Sequence, residues 1–406
     1  VTPAARPASP TAPELVADRL RWAEVDLSAI AANVATLRRL IPPPTRLGVV
    51  VKANAYGHDA RLVAPSAVAA GADWLLVGTV REAMDLRHAG VVAPILIMGR
   101  AVETAGLPDA VAAEVRLCVY DRESIEAAAA AARRVRRPAL LHLKLDSGMH
   151  RLGATAPEGV ELARLIGATD EVRLEALWTH FAEADEEVSR RTAAQLAAFQ
   201  EAVAAIESAG LRGSDVILHA ANSAAALLHP ETRLDLVRCG LPVYGYAPSP
   251  ALPDLGLRPA LAWRARVVAL HDLVAGDRVG YGGTWEAERP TRIAAISVGY
   301  ADGYHRALSD RASVLIGGRR APVVGRVSMD FITADVGALP EVRVGDEVTL
   351  IGRQGDQEIG AGEMADWLST IVWEVLCTIG RRVDRVAIHD SGPPHPGPGS
   401  EARGDG

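Results

Sequence analysis

Residues 46–58 read RLGVVVKANAYGH, a short apolar run followed at once by a lysine, Lys52. Unbroken apolar strands of this length are expected where a sheet is covered on both faces, as in a parallel sheet wrapped by helices. Seven more such runs follow: WLLVG at 74, PILIMG at 94, RLCVY at 116, LLHLKLD at 140, RLEALWTH at 173, VILHAAN at 216 and LDLVRCG at 234. Between them lie Ala-rich, helix-favouring segments, several ending in glycine, such as RESIEAAAAAARRV from 122 and SRRTAAQLAAFQEAVAAIESAG from 189. Ahead of the first run, DLSAIAANVATLRRL places Leu27, Ile30, Val34 and Leu37 at helical spacing, with Asp26 or Ser28 as cap.

Eight strand and helix alternations predict an α/β fold, a (β/α)8 TIM-type barrel, with a doubly wound open sheet as the alternative. The texture changes near SPALPDLGLRPALAW at 249. From Leu261 onward, longer strands alternate with Gly-Asp turns, which predicts a mainly β C-terminal domain. The expected organisation is a barrel over 20–255 and a β-rich domain over 256–389, with disordered tails at 1–19 and 390–406. The segment RWAEVDL at 21 is a spare strand available to the second domain. The Arg-Gly-Asp near the end lies in a Pro/Gly-rich stretch and reads as chance.

With 406 residues, the chain can bury a large core. It has no apolar run long enough to span a bilayer and no secretory signal pattern, so the cytoplasm is the expected compartment. A net charge of -7 argues against a general nucleic-acid surface. Cys118, Cys239 and Cys377 are too few and scattered for a disulfide framework or a zinc site, and no metal is expected. The arginines at 133, 134, 136 and 137 follow a helix, whose carboxyl end favours cations.

In a barrel, catalytic residues gather at the carboxyl ends of the strands. Lys52 ends the first strand; Lys144 and Asp146 lie at the end of the fifth, with Arg151 beyond; His180 ends the sixth; Asn222 and Ser223 follow the seventh; Arg238 ends the eighth. Alone, Lys52 could simply snorkel or pair with Asp146. In this company, a lysine at a desolvated mouth suits Schiff-base chemistry with an aldehyde, and pyridoxal phosphate is the obvious candidate. The segments ANSAA and CGLPVYG after the last two strands offer a hydroxyl and backbone N–H groups for its phosphate.

VVVKANAYGHDA, KLDSGMHRLG, THFAEAD, HAANSAA, LVRCGLPVYG, GDRVGYGGTW, SVGYADGY, GRVSMD and EVLCTIGRRV occur in the order found in alanine racemases, and over about residues 20–388 the chain resembles that family of fold-type-III pyridoxal-phosphate enzymes. The resemblance implies that Lys52 carries the cofactor and acts as one of two bases. Tyr281 would be the other, supplied by the second subunit of a homodimer with shared active sites. Arg151 would hydrogen-bond that tyrosine and help hold the substrate carboxylate. Lys144 matches a family lysine that can be carbamylated and then positions the arginine. His180 would lie against the cofactor ring and bond Arg238, which would face the pyridine nitrogen. Tyr56, Asn222, Ser223, Gly240 and Leu241 would hold the cofactor, chiefly at its phosphate, while Tyr300, Met329 and Asp330 would form a substrate-side wall from the partner.

Three positions depart from the family pattern: Trp373 stands where a phosphate-bonding tyrosine is usual, and His150 and Asp59 where glycine is common. The implied function is interconversion of L- and D-alanine, supplying D-alanine for peptidoglycan. Trp373 keeps a racemase of another small amino acid, such as serine, as the alternative. A decarboxylase of basic amino acids shares the barrel and lysine but not the ordered motifs around Tyr281 and Met329. A non-catalytic cofactor-binding protein would not need Tyr281.

Overall fold

The computed structural model describes residues 16–100 and 105–389. The segments 1–15 and 390–406, within the two expected tails, lie outside the described residues. Contacts divide the described residues into two compact units, one within Ser28–Arg258 and the other of residues 16–27 together with 259–389.

Strand β1 (Arg21–Asp26) belongs to the second unit and runs directly into helix α1 (Leu27–Leu40). The first unit then contains β2 (Arg46–Val50), β3 (Trp74–Val77), β4 (Ile95–Arg100), β5 (Val115–Val119), β6 (Ala139–Lys144), β7 (Val172–Trp178), β8 (Ile217–His219) and β9 (Leu236–Cys239). All neighbours pair in parallel, in the order β8-β7-β6-β5-β4-β3-β2-β9. The remaining seam, between β8 and β9, is joined by Asp235 N–H to Leu218 O at 3.0 Å and Arg238 N–H to Ala221 O at 3.0 Å. The sheet is therefore a barrel and not the open alternative.

The strand residues explain the closure. Leu47, Val49, Leu75, Leu76, Ile95, Leu96 and Ile97 are fully buried, as strands covered on both faces require. Gly48 permits close packing: a Cβ there would fall 2.6 Å from Leu76 Cδ1 and 2.8 Å from Val237 O. The Ala-rich helix Arg122–Val135 starts where Asp121 Oδ1 accepts from Ser124 N–H at 2.8 Å. Of the basic residues at its end, Arg133 pairs with Glu171 at 3.2 Å and Arg137 with Glu114.

In the second unit, β1 pairs antiparallel with β10 (Leu261–Leu273) and parallel with the final strand, Asp384–Ile388. Strand β10 alternates buried and half-buried residues over its first half, the pattern of a sheet with one covered face. Two short helices, Ala361–Leu368 and Val372–Thr378, interrupt this otherwise β-rich unit. Among the described residues, no helix is long and apolar enough to cross a membrane.

Candidate active site

Lys52 stands two residues beyond β2, and the chain after it does something that sequence reasoning missed. Ala53 (φ 52), Asn54 (φ 54), Ala55 (φ 54) and Tyr56 (φ 48) form a left-handed turn that ends at Gly57 (φ 81). Left-handed helical backbone costs roughly 1–2 kcal/mol per non-glycine residue, so such a run persists only where its surroundings hold it. Here Ala55 N–H donates to Val51 O at 2.8 Å, Gly57 N–H to Ala53 O at 3.1 Å, and Ala60 N–H to Asn54 Oδ1 at 3.0 Å. The turn buries Ala55 and Tyr56. Asp59 follows at φ 68, and its carboxylate accepts from Arg61 N–H at 3.0 Å. The glycine departure at 59 thus falls at a left-handed position, one that aspartate tolerates by bonding locally.

Tyr56 reaches the loop after β9. A Cβ on Gly240 would lie 2.6 Å from Tyr56 Oη, and Gly240 N–H donates to Ser223 Oγ at 2.8 Å. Ser223 opens the short helix Ser223–Leu228, whose cap, Asn222, accepts from Ala225 N–H at 3.0 Å. Leu241 begins the 3-10 turn that follows Gly240. The phenol of Tyr56, the Ser223 hydroxyl and this glycine therefore converge on one narrow cradle. Gly240→Ala is expected to overfill it at a cost of about 1–3 kcal/mol. Titration of the apoprotein with pyridoxal phosphate should show affinity at least about tenfold weaker; unchanged affinity would contradict the cradle.

The barrel interior supplies the second part of the site. Arg238 on β9 is buried, its Nη2 donating to Thr179 O and Ala220 O, each at 2.8 Å, and to His180 Nδ1 at 3.1 Å. Its Nη1 donates to His219 Nδ1 at 3.0 Å, while Nε has no partner among the described residues. Burial pushes the guanidinium down to about 9, which leaves it charged at neutral pH. Burial, and then Arg238, Lys144, Arg151 and Lys52, hold His180 well below the ordinary histidine range, so its ring is neutral and accepts from Arg238. Lys144 lies 4.6 Å from the Trp178 ring, and burial, together with the nearby positive charges of Arg238 and Arg151, lowers its ammonium to about 8. His180 therefore lies within electrostatic reach of Lys52, Lys144, Arg151 and Arg238.

Arg151 is exposed, on a loop organised by Asp146. Asp146 Oδ1 accepts from the N–H groups of Gly148, Met149 and His150 at 3.0, 3.1 and 3.0 Å, and Oδ2 meets His150 Nδ1 at 3.0 Å. His150 has φ 57, so the second glycine departure also falls at a left-handed position, here tied to Asp146.

The remaining candidates belong to the β unit. Tyr281 is 73% exposed and lines a hollow of about 400 Å³ with Arg326, Ser328 and Phe331. Tyr300 N–H donates to Ser328 O at 3.0 Å and Ala301 N–H to Met329 O at 3.1 Å, which places the Tyr300 turn beside Met329. Asp330 is engaged by Arg382 at 2.6 Å. Trp373 is half-buried on the helix Val372–Thr378.

Sequence reasoning also missed a polar chain through the barrel. His219 Nε2 meets His142 Nδ1 at 3.1 Å, His142 Nε2 meets Glu175 Oε2 at 2.9 Å, and Arg116 Nε binds that carboxylate at 3.1 Å. Burial would raise Glu175, but its bonds to His142 and Arg116 outweigh that and keep it below the usual range. Since Arg238 can only donate and a carboxylate only accept, both imidazoles are neutral with Nε2 protonated. The available signal was spacing: His142 and Lys144 lie two apart on one strand and so share a face.

A lysine at a barrel mouth, a cradle fit for a phosphate and an unpartnered buried guanidinium N–H fit a phosphorylated aromatic aldehyde, and define the class as a barrel enzyme dependent on pyridoxal phosphate. Models of the alanine racemase N-terminal and C-terminal domains match residues 25–248 and 260–387. An alanine racemase of Symbiobacterium thermophilum is 47% identical over 369 residues, covering 90% of this chain and 97% of that protein. The crystal structure of alanine racemase from D-cycloserine-producing Streptomyces lavendulae superposes with a TM-score of 0.84 at 37% identity, over 91% of this chain and 97% of that one. The alanine racemase of Bacillus anthracis with bound L-Ala-P gives 0.85 at 36% identity, over 92% and 96%. The chain belongs to the alanine racemase family.

Proposed function

We propose that this protein is an isomerase that interconverts L- and D-alanine, working as a homodimer in which each site combines the barrel of one subunit with the β unit of the other. The observation that carries the reading is the buried Arg238, its Nε without a partner among the described residues, at the barrel mouth that also holds Lys52 and the Gly240 cradle. Tyr56, Ser223, Asn222, Gly240 and Leu241 would hold the phosphate end of the cofactor, His180 would back its ring, and Arg238 would donate to its ring nitrogen. Bound there, pyridoxal phosphate withdraws electrons from the substrate and so acidifies its Cα–H. Because the guanidinium keeps its proton at neutral pH, that withdrawal stays moderate, which favours prompt return of a proton to Cα.

Lys52 takes or returns the Cα proton on one face, and Tyr281 of the second subunit acts on the other. A base on each face lets either enantiomer enter. The exposure of Tyr281, Tyr300, Met329 and Phe331 on the β unit supports the dimer, since single-subunit exposure of so many large apolar groups marks an interaction surface. Arg151 would hold the substrate carboxylate and stabilise the tyrosine as a base, with Lys144 behind it. Lys144 lowered to about 8 has an appreciable neutral amine fraction at neutral pH, the form that reacts with carbon dioxide. Cytoplasmic supply of D-alanine for peptidoglycan is the corresponding role.

Trp373 would border the substrate pocket in place of a tyrosine. An indole donates one hydrogen bond, accepts none and is bulkier than a phenol. Trp373→Tyr is expected to change the activity ratio between alanine and serine by about 3–10-fold, a shift of the size that one altered pocket contact produces. Relaxation of L-alanine and L-serine to their racemates, followed by polarimetry with added pyridoxal phosphate, tests both points. Racemised alanine supports the activity; identical ratios in wild type and variant would remove Trp373 from the pocket.

A further inference from the structure

Glu82 lies in the helix Val80–His88 that follows β3, and no sequence motif marks it as part of the site. Its carboxylate is nonetheless committed to three backbone donors from two separate segments. Oε1 accepts from Ala53 N–H at 2.7 Å; Oε2 accepts from Gly78 N–H at 2.7 Å and Thr79 N–H at 3.2 Å. Ala53 is the residue immediately after Lys52, and its N–H opens the left-handed turn. On the other side of Lys52, Val51 N–H donates to Leu76 O of β3 at 2.8 Å. The main chain at Lys52 is thus pinned on both sides to β3 and its following loop, once by the sheet and once by Glu82. Lys52 lies close to this junction, for a Cβ on Gly78 would sit 3.7 Å from Lys52 Cβ and 3.2 Å from Glu82 Oε2.

We infer that Glu82 is a positioning residue for Lys52, holding the strained turn so that the lysine amine is fixed over the barrel mouth. This rests on the assignment of Lys52 as the cofactor-bearing lysine. The competing account is that Glu82 only caps its own helix, where Thr79 Oγ1 accepts from Glu82 N–H at 3.2 Å to complete a capping box. Two substitutions separate the accounts. Thr79→Ala removes the other half of the box without touching the bond to Ala53. Glu82→Gln keeps the size of the side chain but turns one oxygen into an NH2 donor, which faces an N–H donor and breaks either the link to Ala53 or the link to Gly78 and Thr79.

The measurement is attachment of pyridoxal phosphate to Lys52 in full-length protein freed of cofactor. The amine condenses with the aldehyde, forming C=N and releasing water; borohydride then delivers hydride to that carbon, water protonates the nitrogen, and the stable amine is located by peptide mass. Glu82→Gln should slow attachment about tenfold and lower kcat for alanine about tenfold, with KM within about twofold, because a small displacement of a base costs turnover more than binding. Thr79→Ala should match wild type. Equal rates in Glu82→Gln and wild type, or an equal loss in Thr79→Ala, would overturn the inference. If Glu82→Gln does not fold, hydrogen exchange of the wild type decides: Ala53 N–H should be protected although Ala53 is exposed, and exchange at the unprotected rate would overturn the inference. A wild-type adduct on another lysine would remove the reading beneath it, whereas equal adduct formation on Lys52 would remove the inference alone.

Discussion

Lys52→Ala is expected to lower alanine racemisation by about 10⁴-fold or more, because one residue then ceases both to carry the cofactor and to act as base. The geometry leaves it little substitute. Lys52 is placed by β2 and a left-handed turn, whereas Lys144 is buried against Trp178 and Arg238 lies among carbonyls and imidazoles. Lys52→Arg should fail equally, since a guanidinium holds its proton too firmly to serve as a base at neutral pH. The check is the rate of optical change from either enantiomer, with melting temperature recorded beside it. A variant within about tenfold of wild type would exclude Lys52 from both roles.

Tyr281→Phe should reduce racemisation by about 10³-fold, with a different signature. The equilibrium constant between enantiomers is one, so kcat/KM must fall equally in both directions. The proton on the Lys52 face still has its base, so one enantiomer should continue to exchange its α-proton with solvent while keeping its configuration. The other should exchange at the reduced rate. Because each site is assigned a lysine and a tyrosine from different subunits, mixing inactive Lys52→Ala and Tyr281→Phe proteins should restore about a quarter of the activity, through hybrids with one intact site. No recovery, with exchange of subunits verified, would place both bases on one chain. The 73% exposure of Tyr281 is the structural reason to expect recovery.

The barrel was legible because each strand is a short, mainly apolar run with covered faces, and several end on a polar residue, as in LGVVVK and LLHLKLD. Lys52, Lys144, His180 and Arg238 could be placed at one mouth by topology alone. The left-handed turn could not, because Ala53 and Ala55 carry no local signal for positive φ and Asn54, which tolerates it, stands alone between them. Its support comes from distant groups such as Glu82, which in sequence reads as an ordinary helix residue. The chain from Arg238 through His219 and His142 to Glu175 was hidden for a related reason: four separate strands contribute one member each. The departures at Asp59 and His150 became intelligible once their φ values of 68 and 57 showed why glycine suits those positions.

The most direct test of two-base racemisation is incubation of purified protein and pyridoxal phosphate with each enantiomer of alanine in deuterated water. The α-proton is followed by NMR and configuration by chiral separation of the same samples. The account predicts that deuterium enters at Cα from both enantiomers and that the inverted product carries it. Absence of exchange, or exchange from both enantiomers with configuration kept, would contradict the assignment of opposed bases to Lys52 and Tyr281.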